Sequence, residues 1–161
     1  MIYLIGYMGS GKTTIAKKLS LTLNVEYIEM DESIEEEAGM SIPKIFEHYG
    51  EEYFRELETN LLRSLRGDKI VSTGGGVILK EENRELLQKG TVVFLHALFE
   101  TIDERLSNDE HRPLWSAGRE TNQKRYEQRL PLYQTLADYT IQVDHKTEEA
   151  ITKEVLNCLK S

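Results

Sequence analysis

The chain opens on a short apolar run, MIYLI, that ends at Gly6, after which Ile15, Ala16, Leu19 and Leu23 recur at the spacing of a helix face. A strand, a glycine-rich turn and a helix over residues 12–23 are the elements this pattern predicts. VEYIEMD, from Val25 to Asp31, alternates with both faces mixed in polarity, which predicts a second strand closed by Asp31. From Glu32 to Leu65 the period becomes helical and breaks near Gly39, Pro43 and Gly50, so two or three consecutive helices are expected. Lys69 to Ser72 is a short strand running into Thr73, Gly74, Gly75 and Gly76, residues 80–89 read as a surface helix, and TVVFLHA at 91–97 is the clearest buried strand. Phe99 to Leu106 is helical, whereas Ser107 to Gly118 mixes charges with Pro113 and little apolar periodicity, the pattern of a mobile loop. A polar, arginine-bearing helix over 119–136, a last strand from Tyr139 to Val143 and an amphipathic helix from Glu148 to Leu159 complete the pattern.

Strands that alternate with helices predict an α/β fold: a parallel sheet covered on both faces, with ligands bound beyond the carboxyl ends of the strands. At 161 residues, 39% hydrophobic and with 3 prolines, the chain fits one compact domain, and no repeat, low-complexity tract or linker divides it. The 20 basic against 28 acidic residues leave a net charge of −8, which argues against sequence-independent binding to nucleic acid or to an anionic membrane. No apolar run approaches the ~20 residues that span a bilayer, and no basic segment precedes MIYLI, so neither a membrane span nor a signal peptide is expected. The lone Cys158 excludes an internal disulfide and fits a reducing, cytoplasmic setting. His48, His96, His111 and His145 lack the spacing of metal ligands.

Gly6, Tyr7, Met8, Gly9, Ser10, Gly11, Lys12 and Thr13 match GxxxxGK[ST], between a strand and a helix as that motif requires. Glycines let the backbone curl so that successive N–H groups face a phosphate, and the helix N-terminus adds positive potential. Lys12 is placed to reach the β and γ oxygens of ATP or GTP, and Thr13 to offer its hydroxyl to Mg²⁺. Neither a GTPase-like NKxD segment nor a hydrophobic run ending in DE is present, which leaves the small-molecule kinases. Such an enzyme needs a second pocket for the acceptor and a lid that excludes water.

Asp31 with Ile34 and Glu35, Phe54 with Arg55, Gly74 to Gly76, Arg112-Pro113-Leu114, and Arg129 with Pro131, Leu132 and Tyr133 follow the phosphate loop in chain order. Together these motifs resemble shikimate kinase, over nearly the whole chain. The resemblance implies a three-layer P-loop kinase fold with a central five-stranded parallel sheet, a helical substrate-binding insertion at about residues 32–60 and a lid at about 107–118. It implies the phosphorylation of the 3-hydroxyl of shikimate by ATP, with one Mg²⁺, in a cytoplasmic monomer. Rival readings are another small P-loop kinase, for gluconate or a nucleoside monophosphate, and a kinase-shaped protein without activity.

By the same resemblance Gly9, Ser10, Gly11, Lys12, Thr13 and Thr14 bind ATP, and Arg112 closes over its phosphates from the lid. Arg105 is expected near the adenine, and Lys146 aligns with a loop near the same ring. Asp31, Arg55, Gly75, Gly76 and Arg129 bind shikimate, the two arginines through its carboxylate, and Lys12, Asp31 and Arg112 serve catalysis. Two residues depart from the family pattern. Glu29 stands where a metal-holding Asp is usual, so Mg²⁺ falls to Thr13 and Glu29, and Trp115 follows the lid motif where an aliphatic residue is usual. The residues alone leave two readings open for Asp31, a base for the acceptor hydroxyl or one carboxylate in an acidic, solvated stretch from Glu26 to Glu37. They also leave two for Arg55, a substrate ligand or a helix-surface partner of Glu51, Glu52, Glu58 or Thr59.

Overall fold

The computed structural model describes residues 1–107 and 118–160. Among them five strands form one parallel sheet: β1 (Ile2–Ile5), β2 (Glu26–Glu29), β3 (Lys69–Ser72), β4 (Thr91–His96) and β5 (Tyr139–Gln142), in the order β2-β3-β1-β4-β5. The apolar residues of these strands are sealed on both faces, with Leu4, Ile5, Ile70, Val71, Val92, Val93 and Leu95 wholly buried. Among the described residues eight helices connect and cover them: α1 (Lys12–Leu23), α2 (Met30–Ala38), α3 (Ile42–Tyr49), α4 (Glu51–Ser64), α5 (Glu81–Leu87), α6 (Phe99–Leu106), α7 (Arg119–Leu136) and α8 (Glu148–Leu159). A 3₁₀ turn spans Val77–Leu79.

The expected architecture is thus present, with its second strand shorter than the sequence pattern predicts. β2 stops at Glu29, and Met30 and Asp31 already belong to the first turn of α2. The reason is a helix cap: the Glu29 side chain accepts a hydrogen bond from the Glu32 N–H at 2.7 Å, which starts the helix two residues before alternation would end the strand. Asp31 therefore rides on a helix N-terminus, where its negative charge is favoured, instead of closing a strand. The helical block after β2 resolves into three helices, which bury a small separate cluster of Ile34, Ile45 and Phe54.

Register aligns the functional ends. Ile2 pairs with Ile70 and Leu4 with Ser72, while Glu29 pairs with Ser72 from the other side. β1, β3 and β2 therefore finish level, and chain direction across the sheet reverses beside β1, the crevice where open α/β sheets bind ligands. The Thr73 N–H and hydroxyl both donate to the Leu4 carbonyl, at 3.2 and 2.8 Å, so the loop after β3 is fixed against the loop after β1.

α7 has no apolar stripe, yet it buries Asn122, Tyr126, Arg129, Tyr133 and Leu136 at helical spacing. Its seat is aromatic, with Phe94 of β4 stacked on Tyr133 at 5.1 Å and Phe99 edge-on to Tyr126 at 5.6 Å. On the opposite flank α4 is tied to the 3₁₀ turn through the buried Asn83. Thr59 donates to its side-chain oxygen at 2.7 Å, and its amide donates to the Val77 carbonyl at 3.0 Å. Asn83→Ala removes the donor to the buried Val77 carbonyl and leaves the Thr59 hydroxyl only the Arg55 carbonyl at 3.0 Å, and should lower stability by about 2 kcal/mol, measured as a fall in the urea midpoint.

Candidate active site

The turn after β1 is built to receive an anion. Gly9 and Gly11 hold positive φ of 82° and 94°, a left-handed curl that other residues adopt at a cost, and Gly11 caps α1 so that its first N–H groups face outward. Lys12 is 8% exposed and folds over this curl, its ammonium donating to the carbonyls of Gly6 at 2.7 Å and Tyr7 at 3.1 Å. Thr13 lies in the first turn of α1, with its hydroxyl 3.3 Å from that of Ser72. Gly9, Ser10, Gly11, Lys12, Thr13 and Thr14 all line one cleft of about 1310 Å³.

The same cleft continues past Glu29, Asp31, Arg55, Glu58, Gly74–Gly76 and Arg129, with Ile42, Pro43, Phe46 and Phe54 forming an apolar wall. The glycine run is the floor on which the charged groups converge. A methyl group added at Gly74 would lie 2.7 Å from Glu58 Oε2 and 3.2 Å from Asp31 Oδ1. One at Gly75 would lie 3.7 Å from Arg129 Nη1, and one at Gly76 2.5 Å from both terminal nitrogens of Arg55. Arg55, Arg129 and Asp31, 98 residues apart at the extremes, thus share one small space.

Arg55 donates from Nη1 to Glu58 at 2.8 Å and from Nη2 to Glu51 at 3.5 Å, so the helix pairing offered by the sequence and the cleft position are both realised. Glu58 is fully buried and joins the site as the support of Arg55. Burial pushes its carboxyl pKa up, Arg55 and Arg129 pull it down, and Asp31 adds to the rise. Its place was readable from periodicity: Phe54, Glu58 and Leu62 lie on the buried face of α4, where an unpartnered carboxylate is not tolerated. Arg129 is 8% exposed and stands over the Tyr7 ring, while the Tyr133 hydroxyl donates to the Gly75 carbonyl.

Arg105 and Lys146 line the cleft on the nucleotide-loop side, and both are engaged with the protein. Arg105 donates to the Gly9 carbonyl at 2.8 Å, and Lys146 pairs with Glu154 at 3.0 Å. Arg112 and Trp115 lie outside the described residues, as does most of the expected lid. His96 has a structural role, stacked on Phe94 at 5.1 Å, and among the described residues no group of His, Cys, Asp and Glu forms a metal cluster.

A divalent cation of the Mg²⁺ type needs hard oxygen donors, one or two carboxylates, and room for phosphate and water. Thr13, Ser72 and Glu29 meet that requirement, since β-register sets Glu29 beside Ser72 and the Thr13 hydroxyl reaches Ser72. The Glu29 pKa is raised to about 7, first by burial and then by the neighbouring Asp31 charge, against the hydrogen bonds from the backbone of Glu32 and Asp31. Two acidic groups that oppose one another's ionisation are a setting that a cation relieves.

A phosphate-binding loop at the switch point of a parallel sheet, opening into a second pocket with its own arginines and carboxylate, defines a small-molecule kinase of the P-loop class. The family model "Shikimate kinase" matches residues 8–160. The shikimate kinase of Dictyoglomus turgidum is 45% identical over 97% of this chain and 95% of its own, and that of a Sulfurihydrogenibium species 41% over 99% and 97%. The structure of shikimate kinase from Acinetobacter baumannii in complex with shikimate is 36% identical, with a TM-score of 0.94 over 99% of this chain and 92% of that one. The chain belongs to the shikimate kinase family.

The glycine floor generates a direct test. Gly76→Ala places a methyl group where the Arg55 guanidinium now lies, and displacing that group should weaken acceptor binding about tenfold or more. Nucleotide affinity should change less than about twofold, because the three atoms nearest the added methyl group all belong to Arg55; titration calorimetry with each ligand separates the two.

Proposed function

We propose that this chain carries out the reaction of its family, transfer of the γ-phosphoryl group of ATP to the 3-hydroxyl of shikimate, with the residues of the cleft in the roles that follow. The observation that carries this reading is the meeting of Arg55, Arg129 and Asp31 on the Gly74–Gly76 floor, next to the phosphate loop. Two guanidinium groups suit a planar carboxylate, and an adjacent carboxylate suits a hydroxyl. That combination fits an acidic polyol better than a nucleobase.

The phosphate loop, through the N–H groups of residues 9–14 and the Lys12 ammonium, holds the β and γ phosphates. Lys12 exchanges the Gly6 and Tyr7 carbonyls for phosphate oxygens and neutralises charge that grows as the bond to the leaving group lengthens. Arg105 and Lys146 border the nucleotide at the outer end of the cleft. Arg55, held by Glu58, and Arg129 fix the shikimate carboxylate, with Gly75 and Gly76 admitting the ring close to the backbone. Asp31 accepts a hydrogen bond from the 3-hydroxyl and takes its proton as the oxygen bonds to γ-phosphorus. The bond from γ-phosphorus to the β–γ bridging oxygen breaks, and ADP leaves. Thr13 and Glu29 would hold Mg²⁺ bound with ATP, which supplies further neutralisation of the phosphate oxygens. Arg112, from the segment read as the lid, adds a cation over the γ-phosphoryl group. The reading extends to a monomer acting in the cytoplasm, in keeping with the single cysteine.

ADP release in a coupled assay should be stimulated by shikimate and not by gluconate or a nucleoside monophosphate; stimulation by either of the others alone reassigns the acceptor. Arg129→Ala removes a charged hydrogen-bonding group and should weaken shikimate binding about 10- to 100-fold while ATP binding is retained. Lys12→Ala should abolish turnover, and unchanged catalysis in that variant would remove the phosphate loop from the mechanism.

A further inference from the structure

Tyr7 is the second residue of the phosphate loop, where the motif leaves the side chain unspecified. Its ring is 2% exposed and points away from the loop into the junction with α7, whose Arg129 guanidinium lies 5.5 Å from the ring centroid. Tyr126, one helical turn before Arg129, meets the same ring edge-on at 5.5 Å and 75°, so the ring's orientation is set from the side. Its backbone is set as well, because the Tyr7 carbonyl accepts from the Ser10 N–H at 3.2 Å and from Lys12 at 3.1 Å.

The ring thus offers its electron-rich face, from a rigid mount, to a guanidinium taken almost entirely out of water. On its other sides Arg129 has neighbours that also fix its place. Tyr133, one turn on, interacts with it and holds Gly75, and a methyl group at Gly75 would lie 3.3 Å from the Met8 N–H and 3.7 Å from Arg129 Nη1. Arg55, the other guanidinium of the pocket, is oriented by the carboxylates of Glu58 and Glu51. Both guanidinium groups stand over an aromatic ring, Arg55 over Phe54 at 5.2 Å and Arg129 over Tyr7 at 5.5 Å, and Arg55 in addition donates directly to two carboxylates. An aromatic face orients a guanidinium without neutralising it, so the Tyr7 ring fixes Arg129 and leaves its charge for an incoming carboxylate.

We propose that Tyr7 is a positioning residue for the acceptor: its ring orients the Arg129 guanidinium toward the shikimate carboxylate and thereby sets the affinity for the anionic acceptor. This rests on the assignment of Arg129 to that carboxylate. Tyr7 touches no reacting atom, and its effect passes through Arg129.

Three replacements of Tyr7 in the full-length enzyme test this, read as KM and kcat for shikimate at saturating ATP. Tyr7→Leu removes the aromatic face and should raise KM for shikimate about five- to tenfold, the scale of a partly desolvated cation–π contact, with a smaller change in kcat. Tyr7→Phe keeps the face and should restore most of the lost affinity. Pentafluorophenylalanine at position 7 keeps the buried shape but reverses the sign of the ring's field, so it should behave as leucine does, and it decides the matter even where Tyr7→Leu does not fold. Phenylalanine and its fluorinated analogue giving the same KM would overturn the proposal, since packing alone would then explain the site. Combining each replacement with Arg129→Ala separates the proposal from the assignment beneath it. The Tyr7 effect should vanish in that background, measured as kcat/KM, and an effect that persists undiminished overturns the proposal. Arg129→Ala by itself leaving KM for shikimate unchanged would instead overturn the assignment of Arg129, and the proposal with it.

Discussion

Two hydrogen bonds from one threonine to one carbonyl set the geometry on which the site depends. The N–H and hydroxyl of Thr73 both end on Leu4, two residues before the phosphate loop begins. Parallel register already brings β1 and β3 to the same level, and this double contact carries the alignment past the strands into the loops. The phosphate loop and the glycine run are consequently neighbours by backbone geometry, before any side chain is considered. Phosphoryl transfer asks for this, because two substrates held separately gain most when their reacting atoms are brought to contact distance by a rigid frame.

Charge in the cleft alternates in sign over short distances. Lys12, Arg55 and Arg129 stand among Glu29, Asp31 and Glu58 in a chain whose overall balance is −8. The acidic surplus is not uniform in its effect: Glu58 works as a counter-ion, buried and matched to Arg55, while Glu29 serves as a helix cap. Burial raises the pKa of both, and in each case a hydrogen-bond donor opposes the rise. A pocket for two anionic substrates thereby stays folded without its ligands' charges, since each cation has a protein-borne partner of one kind or another.

Several elements were legible in the sequence. β3, α6, α7 and α8 have the limits that spacing predicts, and the phosphate loop lies between β1 and α1 as its motif requires. The end of β2 was not, because Glu29, Met30 and Asp31 continue the alternation while a side-chain hydrogen bond to Glu32 starts a helix; capping is a local contact that a period cannot register. Of the site, Asp31, Arg55, Gly75, Gly76 and Arg129 are brought together as family motifs imply. Their supports were harder to see. Glu58 sits at an apolar position of α4 and carried a signal, whereas Tyr7, Ser72 and Asn83 act through partners far away in sequence, and nothing local marks them. Arg105 and Lys146 reach the cleft but spend their charges on Gly9 and Glu154, pairings set by tertiary placement.

The Lys12 ammonium rests on the carbonyls of Gly6 and Tyr7, so the cation that welcomes phosphate is already solvated by its own loop. An incoming anion must attract it more strongly than those peptide dipoles do. A polyphosphate, with several charges presented along one chain, meets that threshold readily, whereas a halide or a single carboxylate brings far less field to the same point. The backbone of the loop therefore acts as a competitor built into the protein, and it sorts anions by valence before shape is read at all.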